Sequence, residues 1–178
     1  MLSLLVTVVL GSLLPPACSV RELRESARTS QGYHWRVERI AEFVDSAHIV
    51  VRARATSQDS IDAPTSRGTF RQAVVRFTPI EWLRESVAAD SLAFPGQFVD
   101  RDDFNSRSVP YQIVRRAGQR GYCFAIEYRQ GAEYLLLLRR ASTGLSIQWA
   151  PLAPLNEQVR GHDDPWVNWV RERVTGRK

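Results

Sequence analysis

Hydrophobic and polar positions change rhythm several times along this chain, and each change marks an expected element. Val37, Ile40, Ala41 and Val44 recur at i, i+3, i+4 and i+7, so a short amphipathic helix should end near Asp45-Ser46. In HIVVRARAT, Ile49, Val51, Ala53 and Ala55 alternate with Arg52, Arg54 and Thr56, the pattern of a half-buried strand. Residues 57–68, SQDSIDAPTSRG, are dense in turn-forming types and predict a loop. TFRQAVVRFTPIEWLRE then reads as a longer strand, with Ala73, Val75 and Phe77 on one face. Beyond Pro79 the large apolar residues are Ile80 and Trp82, so the parity flips. A flip at a proline predicts a bulge or sharp bend.

Residues 86–120 are the least regular, with strand-like fragments at Leu92–Val99 and Tyr111–Val114 around DRDDFNSRS. Tyr122, Phe124, Ile126 and Tyr128 alternate in the next strand-like run, and a turn follows at Arg129-Gln130-Gly131. Tyr134–Leu138 is apolar on both parities, as in a strand buried on both faces. GLSIQW alternates again, with Leu145, Ile147 and Trp149 on one side, and APLAPLNEQV reads as proline-punctuated coil or a short helix. At the C-terminal end Asp164 is an N-cap candidate, Pro165 suits the first helical position and Gly176 is the expected stop. Trp166, Trp169, Val170 and Arg173 share a face of that helix, which should pack on the sheet.

The expected architecture is mainly β. Five or so strands, mostly hairpin-connected and one of them long and bent, suit a small five-stranded OB-like antiparallel barrel. Short helices flank it, and an amphipathic helix closes the chain.

The first 17 residues, MLSLLVTVVLGSLLPPA, carry no charge. The apolar run is shorter than the ~20 residues of a spanning helix, and Pro15 and Pro16 break it. Residues 1–19 therefore read as a secretory signal peptide, 20–35 as a polar arm or tether, and 36–178 as a single domain. The expected location is the periplasm, the cell envelope or the exterior. Three processing routes stay open. Cleavage after Ser19 removes Cys18, cleavage after Ala17 makes Cys18 the first mature residue, and lipidation at Cys18 tethers the domain. Membrane contact is expected only through the signal segment or such an anchor.

The formal charge is +5 and the pI about 9.8, carried mainly by arginines spread along the chain. That spread reads as a solvated surface and not as a nucleic-acid footprint. The alternative, a nucleic-acid or polyanion-binding OB-fold, rests on strand arginines such as Arg52 and Arg54. His34, His48 and His162 have no ligand spacing, and no H-E-x-x-H, C-x-x-C or phosphate-loop motif occurs. Asp100, Asp102, Asp103 and Asn105 are rich in oxygen, yet Phe104 occupies a ligand position of the EF-hand pattern, so they read as a solvated loop. Glu127 and Glu133 flank a turn and suit structural ion pairs with Arg129 or Arg139. No catalytic, metal or cofactor-binding residue is assigned. The expected protein is a monomeric, non-enzymatic module without cofactor whose partner is another protein.

DSAHIVVRARA, FRQAVVRFTPIEWLRE, GYCFAIEYRQGAEYLLLLRR and GLSIQW together resemble the netrin-like OB-fold module, in particular the inhibitory domain of the tissue inhibitors of metalloproteinases. The matching elements are Ile49 to Ala53, Cys123, and Gly131 with Tyr134 and Leu135, within roughly residues 43–150. The resemblance implies an exported bacterial relative. In that family an N-terminal cysteine and the small polar residue after it chelate a protease's zinc, and the cysteine sulfur pairs with a hairpin cysteine. Carried over, it implies a Cys18–Cys123 disulfide and partner-binding roles for Cys18 and Ser19. The family's further cysteines are absent, and the arm before Phe43 is longer than its pattern.

Overall fold

The first described element follows from its apolar stripe. In the computed structural model, which describes residues 34–65, 68–121, 125–142, 144–150 and 152–176, helix α1 spans Val37–Ser46 and buries Ile40, Ala41 and Val44. Its C-terminal carbonyls are closed by one distant side chain: Arg84 Nη1 donates to Val44 O (2.6 Å) and Ala47 O (2.8 Å). Just ahead of α1, Trp35 packs edge-on to Phe43 with centroids 5.2 Å apart. The end of the expected polar arm is thus docked on the domain.

Two long strands follow, β1 (Ile49–Thr65) and β2 (Gly68–Arg84), paired antiparallel along their length. The register passes from Arg52 opposite Glu81 to Ala53 opposite Pro79, so Ile80 is an extra residue. This is the bulge predicted from the parity flip. Similar shifts lie at Val50/Val51 and Ala55/Ser57. Strands β3 (Leu92–Pro95), β6 (Glu133–Ala141), β7 (Gly144–Ile147) and β8 (Asn156–Val159) complete a six-stranded antiparallel sheet of order β3-β2-β1-β6-β7, with β8 also on β6. Strands β4 (Gln97–Phe98) and β5 (Glu127–Tyr128) form a separate parallel pair. Helix α2 (Arg116–Gln119) and helix α3 (Pro165–Thr175) finish the fold.

Strand β6 is the central element. Tyr134 to Leu138 are all buried, as the double-parity apolar run implies. Tyr134, Leu136 and Leu138 join Ile49, Val51, Phe77, Phe94 and Tyr128 in one cluster, while Leu135 and Leu137 join Ile40, Val44, Leu155 and Trp166 in another. Side chains from one face of β1, β2, β3 and β6 meet in the first cluster, so the bulged sheet curls around it. Among the described residues no pairing joins the two ends of the sheet, which is not closed into a barrel.

Several expectations change. The segment after Thr56 is not a loop: β1 and β2 stay paired out to Thr65 opposite Gly68. Turn-forming side chains tolerate this because an exposed ribbon is held by backbone bonds and needs no apolar face. Tyr111–Val114 is no strand; Tyr111 is instead stacked on Trp166 at 5.0 Å. Residues 122–124 of the next alternating run lie outside the described residues, and only Glu127–Tyr128 is strand. NEQV is not coil or a short helix but β8, with all four side chains buried. Its polar residues find partners inside the protein, which periodicity cannot register.

Helix α3 starts as its sequence predicts. Asp164 accepts from Trp166 N (2.9 Å), Pro165 holds the first position and Gly176 ends the helix. Trp166 is buried and Trp169 stacks on it, 5.2 Å between centroids. Arg173 pairs with Asp45 of α1 at 2.7 Å, so the two helices are joined outside the core as well. Trp166→Ala should cost about 3–5 kcal/mol, read as a lower midpoint in urea unfolding. An unchanged midpoint would mean that α3 adds nothing to the core.

Candidate functional site

Arg115 is a fully buried arginine, 1% exposed. It follows the apolar pair Ile113-Val114, which form a small cluster with Leu152 and draw the segment inward. All three of its guanidinium nitrogens donate. Nε donates to Asn156 O (3.1 Å), Nη1 to Asp103 Oδ2 (2.7 Å), and Nη2 to Ala125 O (2.6 Å) and Glu127 O (2.9 Å). The rings of Tyr128 and Tyr134 lie 5.5 and 5.6 Å from it.

Glu157 of β8 sits beside it with no exposure. Its Oε1 accepts from Arg115 N (2.9 Å) and its Oε2 from Asn105 Nδ2 (3.0 Å). Burial pushes this carboxyl up to about 7, against the pull of Arg115 and of the Asn105 hydrogen bond. Asn156 donates to Ala125 O (3.0 Å) and to the Tyr128 hydroxyl (3.2 Å). Buried polar side chains of β8 thus tie the sheet to the irregular segment 100–121 and to β5.

An open groove with a volume of about 550 Å³ lies next to this assembly, between the β5–β6 turn and the outer edge of β8. Gly131 forms the turn with φ +78°, a conformation that favours glycine, and its N–H donates to Ala55 O (2.7 Å). Asp102 at the rim pairs with Arg129 and accepts from Gln158 Nε2 (2.6 Å). The Arg129 hydrogen bond holds its carboxyl below the usual range. Glu133 accepts from Arg54 (2.8 Å) and Arg52 (2.5 Å). Arg52 continues to Glu81 (3.1 Å), which also accepts from Arg171 of α3 (3.0 Å) and contacts His162. Burial raises Glu81 and Glu133, but their arginine partners prevail and leave both carboxyls below the ordinary value.

These pairings relocate the residues singled out in the sequence. Arg52 and Arg54, the carriers of the polyanion alternative, are engaged by carboxylates. Glu127 pairs with Arg101, and Glu133 with Arg52 and Arg54, in place of the expected Arg129 or Arg139. Of the expected solvated loop, Asp100 and Asp102 are exposed, whereas Asp103 and Asn105 turn inward. Asp103 holds Arg115 and the Ala117 N–H, and Asn105 donates to Ile113 O and Glu157. No group of three or more potential metal ligands occurs among the described residues. Cys18, Ser19 and Cys123 lie outside the described residues. Arg115 and Glu157 were missed because neither belongs to a spacing motif. The one sequence signal is a tandem arginine directly after two apolar residues.

No protein-family profile matches the chain, and no curated protein sequence matches it.

The raised Glu157 carboxyl has a direct consequence for stability. The folded state holds its proton more tightly than the unfolded chain, so stability is fully present below about pH 4.5 and is lost as pH rises through about 7. Glu157→Gln should begin less stable at pH 5, because its amide turns a donor towards Asn105. Between pH 5 and 8 its stability should stay flat while the parent declines by up to about 3 kcal/mol. Parallel pH profiles of urea midpoints check this, and equal slopes would refute it.

Proposed function

We propose that the protein is a non-catalytic module that binds another protein through the β1–β2 ribbon and acts after export. The observation that carries this reading is the ribbon itself. From Ser57 opposite Arg76 to Thr65 opposite Gly68, β1 and β2 pair with each other, while β6 reaches only to Arg54 and β3 only to Val74. That leaves an arm on the order of 30 Å long. No described strand covers the outer edges of 57–65 or 68–73. A lone two-stranded ribbon is marginal in water, and open strand edges are templates for another chain. Strand addition at such an edge is a common mode of protein recognition. Phe70, 54% exposed, gives the arm an apolar contact.

The netrin-like kinship, with an OB-like barrel as its finer geometry, belongs to the same proposal. A bulged antiparallel sheet curled around an aromatic cluster, with β6 at its centre, supports it. Protease inhibition is a narrower form of the proposal and requires a free amine on Cys18.

Two variants test the reading. A photoreactive residue in place of Phe70 should give one discrete cross-linked protein in the native host, and the same residue in place of the exposed Glu42 on α1 should not. Replacing Ser60–Ala73 by an Asn-Gly turn should abolish that partner and shift the melting temperature by no more than about 3 °C. Partner capture that survives arm removal, or equal labelling from Glu42, would overturn the proposal.

A further inference from the structure

We infer that the groove between the β5–β6 turn and β8 is a second binding site, independent of the arm, that takes a single organic carboxylate on Arg160. The polar groups around the groove point to this by subtraction. Asp102 is held by Arg129 and Gln158. Gln158 also accepts from Asp103 N (2.7 Å), so its amide is committed at both ends. Gln130 donates to Thr56 O (3.2 Å), and Glu133 is held by Arg52 and Arg54. The Gly131 and Ala132 N–H groups donate to Ala55 O and Arg129 O.

Arg160 is different. Its guanidinium lies over the Phe104 ring, 4.3 Å from the centroid, with 59% of the side chain exposed. Its nearest carboxylate, Asp164, is at 4.0 Å, beyond hydrogen-bond reach. The Asp164 oxygens are already taken by the Arg160 and Trp166 backbone N–H groups, both at 2.9 Å. An aromatic ring thus holds a planar cation with its hydrogen-bonding edge unspent at the wall of a cavity.

The surroundings select the anion. A guanidinium matches the two oxygens of a carboxylate or of a phosphate. Asp102 and Glu133 line this groove and Asp164 lies 4.0 Å from the Arg160 guanidinium, so a dianion is repelled by all three. Two arginines line the groove, but Arg129 is neutralised by Asp102, so a monoanion finds one uncompensated cation in Arg160. Phe104, Val159 and Ala132 supply apolar lining for the organic part of the ligand. The ligand class is therefore a monocarboxylate with a short apolar body, of which the free C-terminus of a peptide is an instance.

The test titrates the full-length mature protein, labelled with ¹⁵N, with N-acetyl-leucyl-leucine as the free acid, with its C-terminal amide, and with inorganic phosphate. The acid should saturate at millimolar concentrations and move the Gly131, Ala132 and Arg160 amide signals. The amide should bind at least about tenfold more weakly, and phosphate should not displace the acid. Arg160→Gln should lose about tenfold in affinity, and Arg160→Lys should retain part of it. Neither change touches the Asp164 cap, which uses the Arg160 backbone, so both proteins should melt like the parent. The proposal is overturned by equal binding of acid and amide, by displacement with phosphate, by unchanged affinity in Arg160→Gln, or by failure of the parent to saturate. The ligand series on the unsubstituted protein decides the matter even if a variant does not fold. None of these results depends on whether the arm captures a protein.

Discussion

A guanidinium removed from water must find an acceptor for each of its donors, and Arg115 imposes that condition on much of this fold. Its acceptors come from β8, from the segment before β5, from β5 itself and from Asp103 in the irregular segment. An ion pair at this depth is weak evidence for stability, since desolvation offsets most of the attraction. Its effect is on uniqueness. Slipping β8 by one residue against β6 would turn Glu157 into the apolar cluster and leave Arg115 N and Asn105 without their acceptor. The polar strand therefore has one acceptable register, although its apolar content would not choose one.

The rest of the sheet is set by volume. Strand β6 is buried on both faces and must be covered twice. One cover is α1, α3 and residues around Leu155; the other is the sheet itself, bent over by the bulges at Ile80 and its neighbours. The bends bring Phe77 within 5.0 Å of Tyr128 and 6.0 Å of Tyr134, centroid to centroid. Those two tyrosines also flank Arg115, so the aromatic cluster and the buried charge share a wall. The last buried pair on β2 is Val75 and Val74, and beyond it the two long strands run on as an exposed ribbon.

What the sequence makes legible divides along the same line. Where side chains are selected by burial, periodicity works: α1, β1, β6, the bend near Pro79 and the cap at Asp164 are all readable. Where backbone pairing or polar complementarity decides, it fails. SQDSIDAPT looks like a loop because its residues suit turns, yet ribbon pairing is indifferent to them. NEQV looks like coil because its partners, Arg115, Asn105 and Asp102, are 42 to 56 residues away along the chain. The groove was invisible for the same reason. Phe104 and Arg160 meet only because a parallel bridge sets Phe104 beside Gln158.

The arm and the groove offer different chemistry because they stand in different relation to the buried assembly. Beyond Val74 the arm presents backbone donors and acceptors along open edges, and its described side chains are exposed or only partly buried; recognition there suits a partner that brings its own strand. The groove rests on residues whose other contacts lead directly to Arg115: Asp102 through Gln158 and Asp103, and Arg160 through β8. A cation mounted on that support loses little freedom when it meets an anion, because the ring beneath has already oriented it. Glu157, whose carboxyl burial pushes up to about 7, lies only three residues before Arg160 but offers the groove nothing. Both its oxygens accept hydrogen bonds inside the protein, so neither is available to a ligand.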